Sequence, residues 1–154
     1  MNPKTNNKEV ITMTIIGFNF KEIKVRKEEG VKGKINIKNN VIITDVKEQD
    51  LSLGDKSQSA LKFVFEFSSK YDPDCGEITL VGDLLFMESS AKTKEILAGW
   101  KKSKNIPKDV MAGILNTVLT KCNIEALVLS QRVNLPPPIP LPSVKQDFKK
   151  EEKK

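Results

Sequence analysis

Apolar and polar residues alternate most regularly where Leu61, Phe63, Phe65 and Phe67 interleave with Lys62, Val64, Glu66 and Ser68. That period of two predicts a β-strand with one heavily aromatic face. Tyr71, Asp72, Pro73, Asp74, Cys75 and Gly76 supply a compact turn, with Cys75 exposed in the loop, and Glu77 to Glu88 forms the returning strand. On it Ile78, Leu80, Leu84 and Phe86 share one face, interrupted by Gly82 where something approaches closely or the sheet bends. The opposite face carries Val81, Leu85 and Met87 beside Glu77, Thr79 and Asp83. With Val64, that face is less polar than a solvated side needs, which marks a second contact surface whose simplest use is subunit association.

Upstream, Val10 to Val25 is rich in strand formers. Ile16, Phe18 and Phe20 hold one face before Ile23 and Val25 take over, so a bulge or bend is expected near Lys21 and Glu22. Val31 to Val46 places Val31, Ile35, Ile37, Val41 and Ile43 in strand phase, with Ile42 out of it. A kinked strand around Asn39 and Asn40 is the preferred reading, two short strands the alternative. Gln49 to Ser59, with Gly54 and Asp55, reads as a polar surface connection. Residues 1–9 read as a flexible N-terminus.

Downstream the period changes. Ile96, Leu97 and Trp100 fall on one side of a short helix beginning near Ser90 and ending at a lysine-rich link, Lys101 to Asn105. Pro107 suits a first helical turn, after which Val110, Met111, Ile114, Leu115, Val118, Leu119 and Cys122 recur at helical spacing. This long amphipathic helix extends through Ile124, Leu127 and Val128 to Ser130. Five prolines then fall within seven residues, Pro136 to Pro142, which excludes helix and central strand and predicts an extended arm. Val133, Leu135, Ile139 and Leu141 on that arm need an apolar surface on the same domain or on a partner subunit.

These elements define an α+β chain. A curved antiparallel sheet of about four strands packs with a short and a long C-terminal helix, followed by the proline-rich arm. At 154 residues one domain suffices, over 10–144 with the arm at 133–142, and 145–154 forms a charged flexible tail.

Charge and composition narrow the chemistry. With no histidine, imidazole mechanisms and the commonest metal ligand are excluded, as are the usual serine and cysteine triads. The net charge is +6, carried by 24 lysines and 2 arginines, which favours diffuse attraction to acidic partners over base-specific readout. Gly17, Gly30 and Gly33 build no phosphate cradle. Asp72, Asp74 and Glu77 lack the oxygen spacing of a calcium loop and read as turn residues. Cys122 is in phase with the helix core, and Trp100 with Ile96 and Leu97. Lys92, Lys94, Lys101, Lys102, Lys104 and Lys108 are opposed only by Glu95 over that stretch and are candidate contacts for RNA or an acidic protein. No run of eighteen apolar residues occurs, so the chain reads as cytoplasmic, without membrane insertion.

The order of elements, with VGDLLFM in a strand and IPKDVMAGILNTVLTKCNIEALVLSQRVNLPPPIPLP in the helix and arm, resembles the SecB-like chaperone fold over about residues 14–142. The chain looks like a remote, archaeal relative. The resemblance implies protomers paired through their sheets, dimers associated through helices, and apolar grooves that hold unfolded chains during protein transport. The basic charge departs from the acidic bacterial members. The expected function is therefore a non-enzymatic, homo-oligomeric chaperone-like protein without cofactor or metal. Its candidate polypeptide-binding or interface residues are Phe63, Phe65, Leu85, Met87, Val133, Leu135, Ile139 and Leu141. The alternative is an RNA-associated or ribosome-associated accessory protein using the Lys92 to Lys108 group.

Overall fold

In a computed structural model, residues 14–30, 33–53 and 56–142 are described. The expected flexible ends, 1–9 and 145–154, lie outside them, as does the beginning of the first expected strand. Six elements follow in chain order: β1 (Thr14–Lys27), β2 (Asn36–Leu53), β3 (Lys56–Asp72), β4 (Gly76–Met87), α1 (Ser90–Ser103) and α2 (Lys108–Arg132). The strands form one antiparallel sheet in the order β1-β4-β3-β2. β2, β3 and β4 are sequential neighbours and β1 lies beside β4, a Greek-key arrangement that leaves β1 and β2 as edges.

The register explains the periodicities. Phe63 faces Leu84, Phe65 faces Gly82 and Phe67 faces Leu80, placing the odd positions of β3 and the even positions of β4 on one face. Both helices cover that face. Ile96 and Trp100 from α1, and Val110, Ile114, Val118, Cys122 and Ala126 from α2, close a core with Leu61, Phe63, Phe65, Phe67, Ile78, Leu80, Leu84 and Phe86. By length and composition α2 could also cross a bilayer, but here one of its faces is buried on the sheet. Its outer face leaves Ile124 and Val128 exposed.

The expected bulge is present as a register shift between Phe20 and Glu22, and a second shift falls between Ile15 and Gly17. β2 runs straight through Asn39 and Asn40, each paired with β3, and its irregularity lies between Ile43 and Asp45 instead. The side chain of Asn39 has work of its own, since its Nδ2 donates to Pro138 O at 2.9 Å and its Oδ1 accepts from Ser69 Oγ at 2.6 Å. The polar segment expected as a surface connection is largely strand: Gln49 to Leu53 pairs with Lys56 to Ala60. Strand pairing needs ladder hydrogen bonds, which polar sequences make as readily as apolar ones.

Helix ends follow local chemistry. The Ser89 side chain caps α1 by accepting from Lys92 N–H. Pro107 is the N-cap residue of α2, immediately before its first turn. At the other end, Asn134 takes a left-handed conformation (φ 61°), Leu135 N–H donates to Ser130 O at 2.8 Å and Asn134 N–H to Gln131 O at 3.3 Å. This is a Schellman closure, and asparagine is a usual substitute for glycine there. It directs the arm back onto its own domain. Leu135 packs against Gly76, where a side chain would meet Leu135 Cδ1 at 3.0 Å, and Tyr71 Oη donates to Pro136 O at 2.6 Å.

Cys75 is buried and not exposed as expected, because its turn closes inward. Its N–H and Sγ both donate to Tyr71 O, at 2.8 and 3.3 Å, while Glu28 N–H donates to Cys75 O at 2.9 Å. Arg26 holds the acidic residues of the same turn, 3.1 Å from Asp74 and 3.9 Å from Glu77.

Candidate binding groove

An edge strand keeps one row of backbone N–H and C=O groups without a ladder partner. β2 is such a strand, and the end of α1 and the start of α2 stand beside it. Two adjoining depressions result. One, of about 490 Å³, is lined by Val41, Ile42, Ile43 and Thr44 of β2 together with Met111 and Leu115 of α2. The other, of about 500 Å³, is lined by Asp45, Val46, Lys47 and Glu48 of β2 with Leu97 and Lys101 of α1. Trp100 and Lys104 border both, so the two form one groove along Val41 to Glu48 with these residues at its middle.

Trp100 is 93% covered (7% exposed), and the Lys104 Nζ stands 4.8 Å from its ring centroid. The backbone there reverses sharply. Lys104 is left-handed (φ 61°, ψ 28°), its N–H donates to Trp100 O at 2.8 Å, and Asn105 N–H donates to Gly99 O at 3.2 Å. Gly99 permits the close return, since a Cβ there would lie 2.9 Å from Asn105 O. On β2, the shift between Ile43 and Asp45 divides the edge at the level of Thr44, whose Oγ1 donates to Val64 O at 3.3 Å. A bulge limits continuous pairing along an edge, which discourages indefinite strand addition.

The groove carries no catalytic constellation. Among the described residues no group of three or more Cys, Asp or Glu could hold a metal. The two acids lining it are engaged locally: Asp45 accepts from Val46 N–H at 2.8 Å and lies 3.8 Å from Lys47, and Glu48 accepts from Ser59 Oγ at 3.2 Å.

The residues singled out from sequence separate into several places. Phe63 and Phe65 are fully buried beneath the helices and are core, so the expectation that they line an accessible groove is corrected. Phe65 is committed within the sheet, stacked on Phe18 with centroids 5.1 Å apart. Leu135 is likewise buried, against Gly76. Val133 and Ile139 are half-buried on the arm and Leu141 is exposed, at the Tyr71 and Asn39 end of the sheet. Leu85 and Met87 are half-buried on the face away from the helices, with Val64 and Val81. In the midst of that face Asp83 is buried and paired with Lys21 at 3.3 Å, the residue placed by the β1 bulge.

Of the lysines, Lys101 and Lys104 line the groove and Lys102 and Lys108 flank it in sequence. Lys92 and Lys94 belong to the start of α1, roughly 15–18 Å along the helix from Lys104 at about 1.5 Å per residue. The groove-forming role of Val41 to Glu48 was not legible in the chain, and Trp100, expected as core in preference to stacking on a base, also borders the groove. The out-of-phase Ile42, 45% exposed, was the available signal.

No protein-family model matches the sequence, and no curated protein matches it. Among solved structures, the chain is similar to the Mycobacterium tuberculosis SecB-like chaperone Rv1957 in complex with a ChAD peptide from the Rv1956 HigA1 antitoxin, at a TM-score of 0.52 and 12% identity, covering 91% of this chain and 96% of that one. At 12% identity the likeness is one of fold alone.

Proposed function

We propose that this protein is a non-enzymatic, chaperone-like binder of unfolded or flexible polypeptide, and that it holds an extended segment in the groove beside β2. The observation that carries this reading is an apolar depression, walled by Trp100, Met111 and Leu115, running alongside β2, which among the described residues pairs on one side only. An extended segment can hydrogen-bond to such an edge through its backbone while alternate side chains enter the depression. Backbone pairing is indifferent to sequence, and each buried aliphatic side chain adds about 1.5–3 kcal/mol of gross stabilisation. Permissive capture of many clients follows. The fold shared with a chaperone solved with a peptide supports the same reading.

In this reading the protein works in the cytoplasm, needs no cofactor and acts as a homo-oligomer. The half-buried Val64, Val81, Leu85 and Met87 face and the exposed Ile124 and Val128 of α2 are the surfaces available for association. The test is binding of a labelled unfolded protein and of RNA side by side across a salt series, with molar mass followed by light scattering. Salt-resistant capture of the unfolded chain by an oligomer is expected. A second reading has its own observation, the lysines at the α1–α2 connection, and RNA binding that collapses with salt, without affinity for unfolded protein, would establish it instead.

A further inference from the structure

Lys104 occupies a backbone conformation (φ 61°) that glycine ordinarily supplies at a helix C-terminus. A bulky residue kept in a left-handed conformation points to a use for its side chain. Lys104 is exposed, but its ammonium lies over Trp100 at 4.8 Å and the residue borders both halves of the groove. Among the described residues no carboxylate oxygen stands within 4.0 Å of Lys101, Lys102, Lys104 or Lys108. The acids of the groove, Asp45 and Glu48, are occupied by Val46 N–H, Lys47 and Ser59. Among the described residues lining the depression formed with α2 none is acidic, and Lys104 is the one charged residue on a wall that is apolar except for Thr44.

We propose that the groove selects extended segments in which apolar residues are accompanied by an acidic one, and that Lys104 is the residue that sets this preference, with Lys101 in support. This rests on the polypeptide-binding reading above and narrows it to a substrate class. The apolar side chains of the segment enter between β2 and Trp100. The adjacent carboxylate meets the ammonium at the middle of the groove, where the covering indole and the segment itself exclude part of the screening water. A basic residue in the same position is repelled by Lys101 and Lys104, which gives discrimination from both directions.

The test uses the full chain and three fluorescent peptides with the same alternating apolar residues, carrying Glu, Gln or Lys at one central position. Anisotropy at low salt is expected to rank them Glu, Gln, Lys, with the Glu peptide about two- to fivefold tighter than its Gln twin, the size of a partly screened ion pair. Lys104→Gly removes the ammonium while relieving the left-handed strain, so its thermal midpoint holds or rises, and the Glu peptide falls to the level of the Gln peptide. Lys104→Glu reverses the order of the Glu and Lys peptides. Equal binding of the Glu and Gln peptides, or preference for Lys, overturns the selectivity and leaves the groove reading standing. Failure of all three to bind overturns the groove reading itself. An oligonucleotide that displaces the Glu peptide and outbinds it at low salt would overturn the proposal by assigning the lysines to nucleic acid.

Discussion

Adding a single methyl group at Gly82 is expected to cost more than any other one-carbon change in the sheet. Gly82 lies on β4 between Phe65 of β3 and Phe20 of β1. A Cβ there would stand 2.1 Å from Asn19 O, 2.8 Å from Phe65 Cζ and 3.0 Å from Phe20 Cα. Moving Asn19 O from 2.1 Å to a tolerable 3.0 Å requires a retreat of at least 0.9 Å, the difference of the two. That atom belongs to the backbone of β1, beside the bulge at Lys21, and cannot swing away as a side-chain tip would. Phe65 must also shift, against its stack on Phe18 at 5.1 Å and its edge contact with Phe20 at 6.2 Å. Overpacking costs about 1–3 kcal/mol and each disturbed aromatic pair about 0.5–1.5 kcal/mol, against a gain of about 0.4–1 kcal/mol from a stiffer unfolded chain. The net expectation for Gly82→Ala is a loss of about 3 kcal/mol, or roughly 6–12 °C in thermal midpoint for a chain of this size. Urea unfolding at fixed protein concentration, followed by circular dichroism and Trp100 fluorescence, measures it. Gly17→Ala is the control, because its Cβ would meet only the Leu85 side chain at 3.4 Å, an ordinary contact. It should change stability by less than about 1 kcal/mol. A Gly82→Ala loss below about 1 kcal/mol, or an equal loss at Gly17, would refute the packing argument.

Two further outcomes concern the arm and the buried acids. Leu135→Ala removes an almost fully buried side chain from Gly76 and should cost about 2–3 kcal/mol, the lower part of the range for leucine truncation because the arm can settle toward the sheet. The urea midpoint should fall with unchanged slope, and the segment after Arg132 should become sensitive to protease. Tyr71→Phe leaves Pro136 O without its 2.6 Å donor and should cost about 1–2 kcal/mol at neutral pH. Burial pushes the Tyr71 hydroxyl up to about 12 from 10.0, and burial, with the charge of Glu125 second, pushes the Cys122 thiol up to about 12 from 9.0. Both groups keep their protons in the folded chain at a pH where the unfolded chain loses them. Their contribution is therefore complete below pH 9 and is lost as pH rises from 9 toward 12. The stability deficit of Tyr71→Phe relative to the parent should accordingly shrink between pH 10 and 12 in parallel denaturant titrations; a constant deficit would contradict it.

What could be read from the chain was what lies close together within it. Phe20 and Val25 pack against the same core from opposite parities of one strand, and that change of phase located the bulge near Lys21. The helix from Lys108 was legible because Val110, Ile114, Val118 and Cys122 repeat on one buried face. The hairpin over Gln49 to Ala60 was hidden since its polar residues carry no burial signal. Phe63 and Phe65 were placed in a groove because alternation marks a face as apolar without saying which side receives the helices. The groove itself depends on strand order: Val41 to Glu48 meets Trp100 and Lys104, more than fifty residues away, only because β2 lies at the edge and not between β3 and β4. Composition described Lys104 as one lysine among 24. Its left-handed backbone distinguishes it among the described lysines, and the same reversal that gives it that backbone brings its ammonium over Trp100. A solvating lysine has no need of either feature, since any right-handed position on α1 would serve. The pairing of a backbone cost with an ammonium held at the middle of an apolar groove is therefore the strongest physical argument that the groove reads charge as well as hydrophobicity.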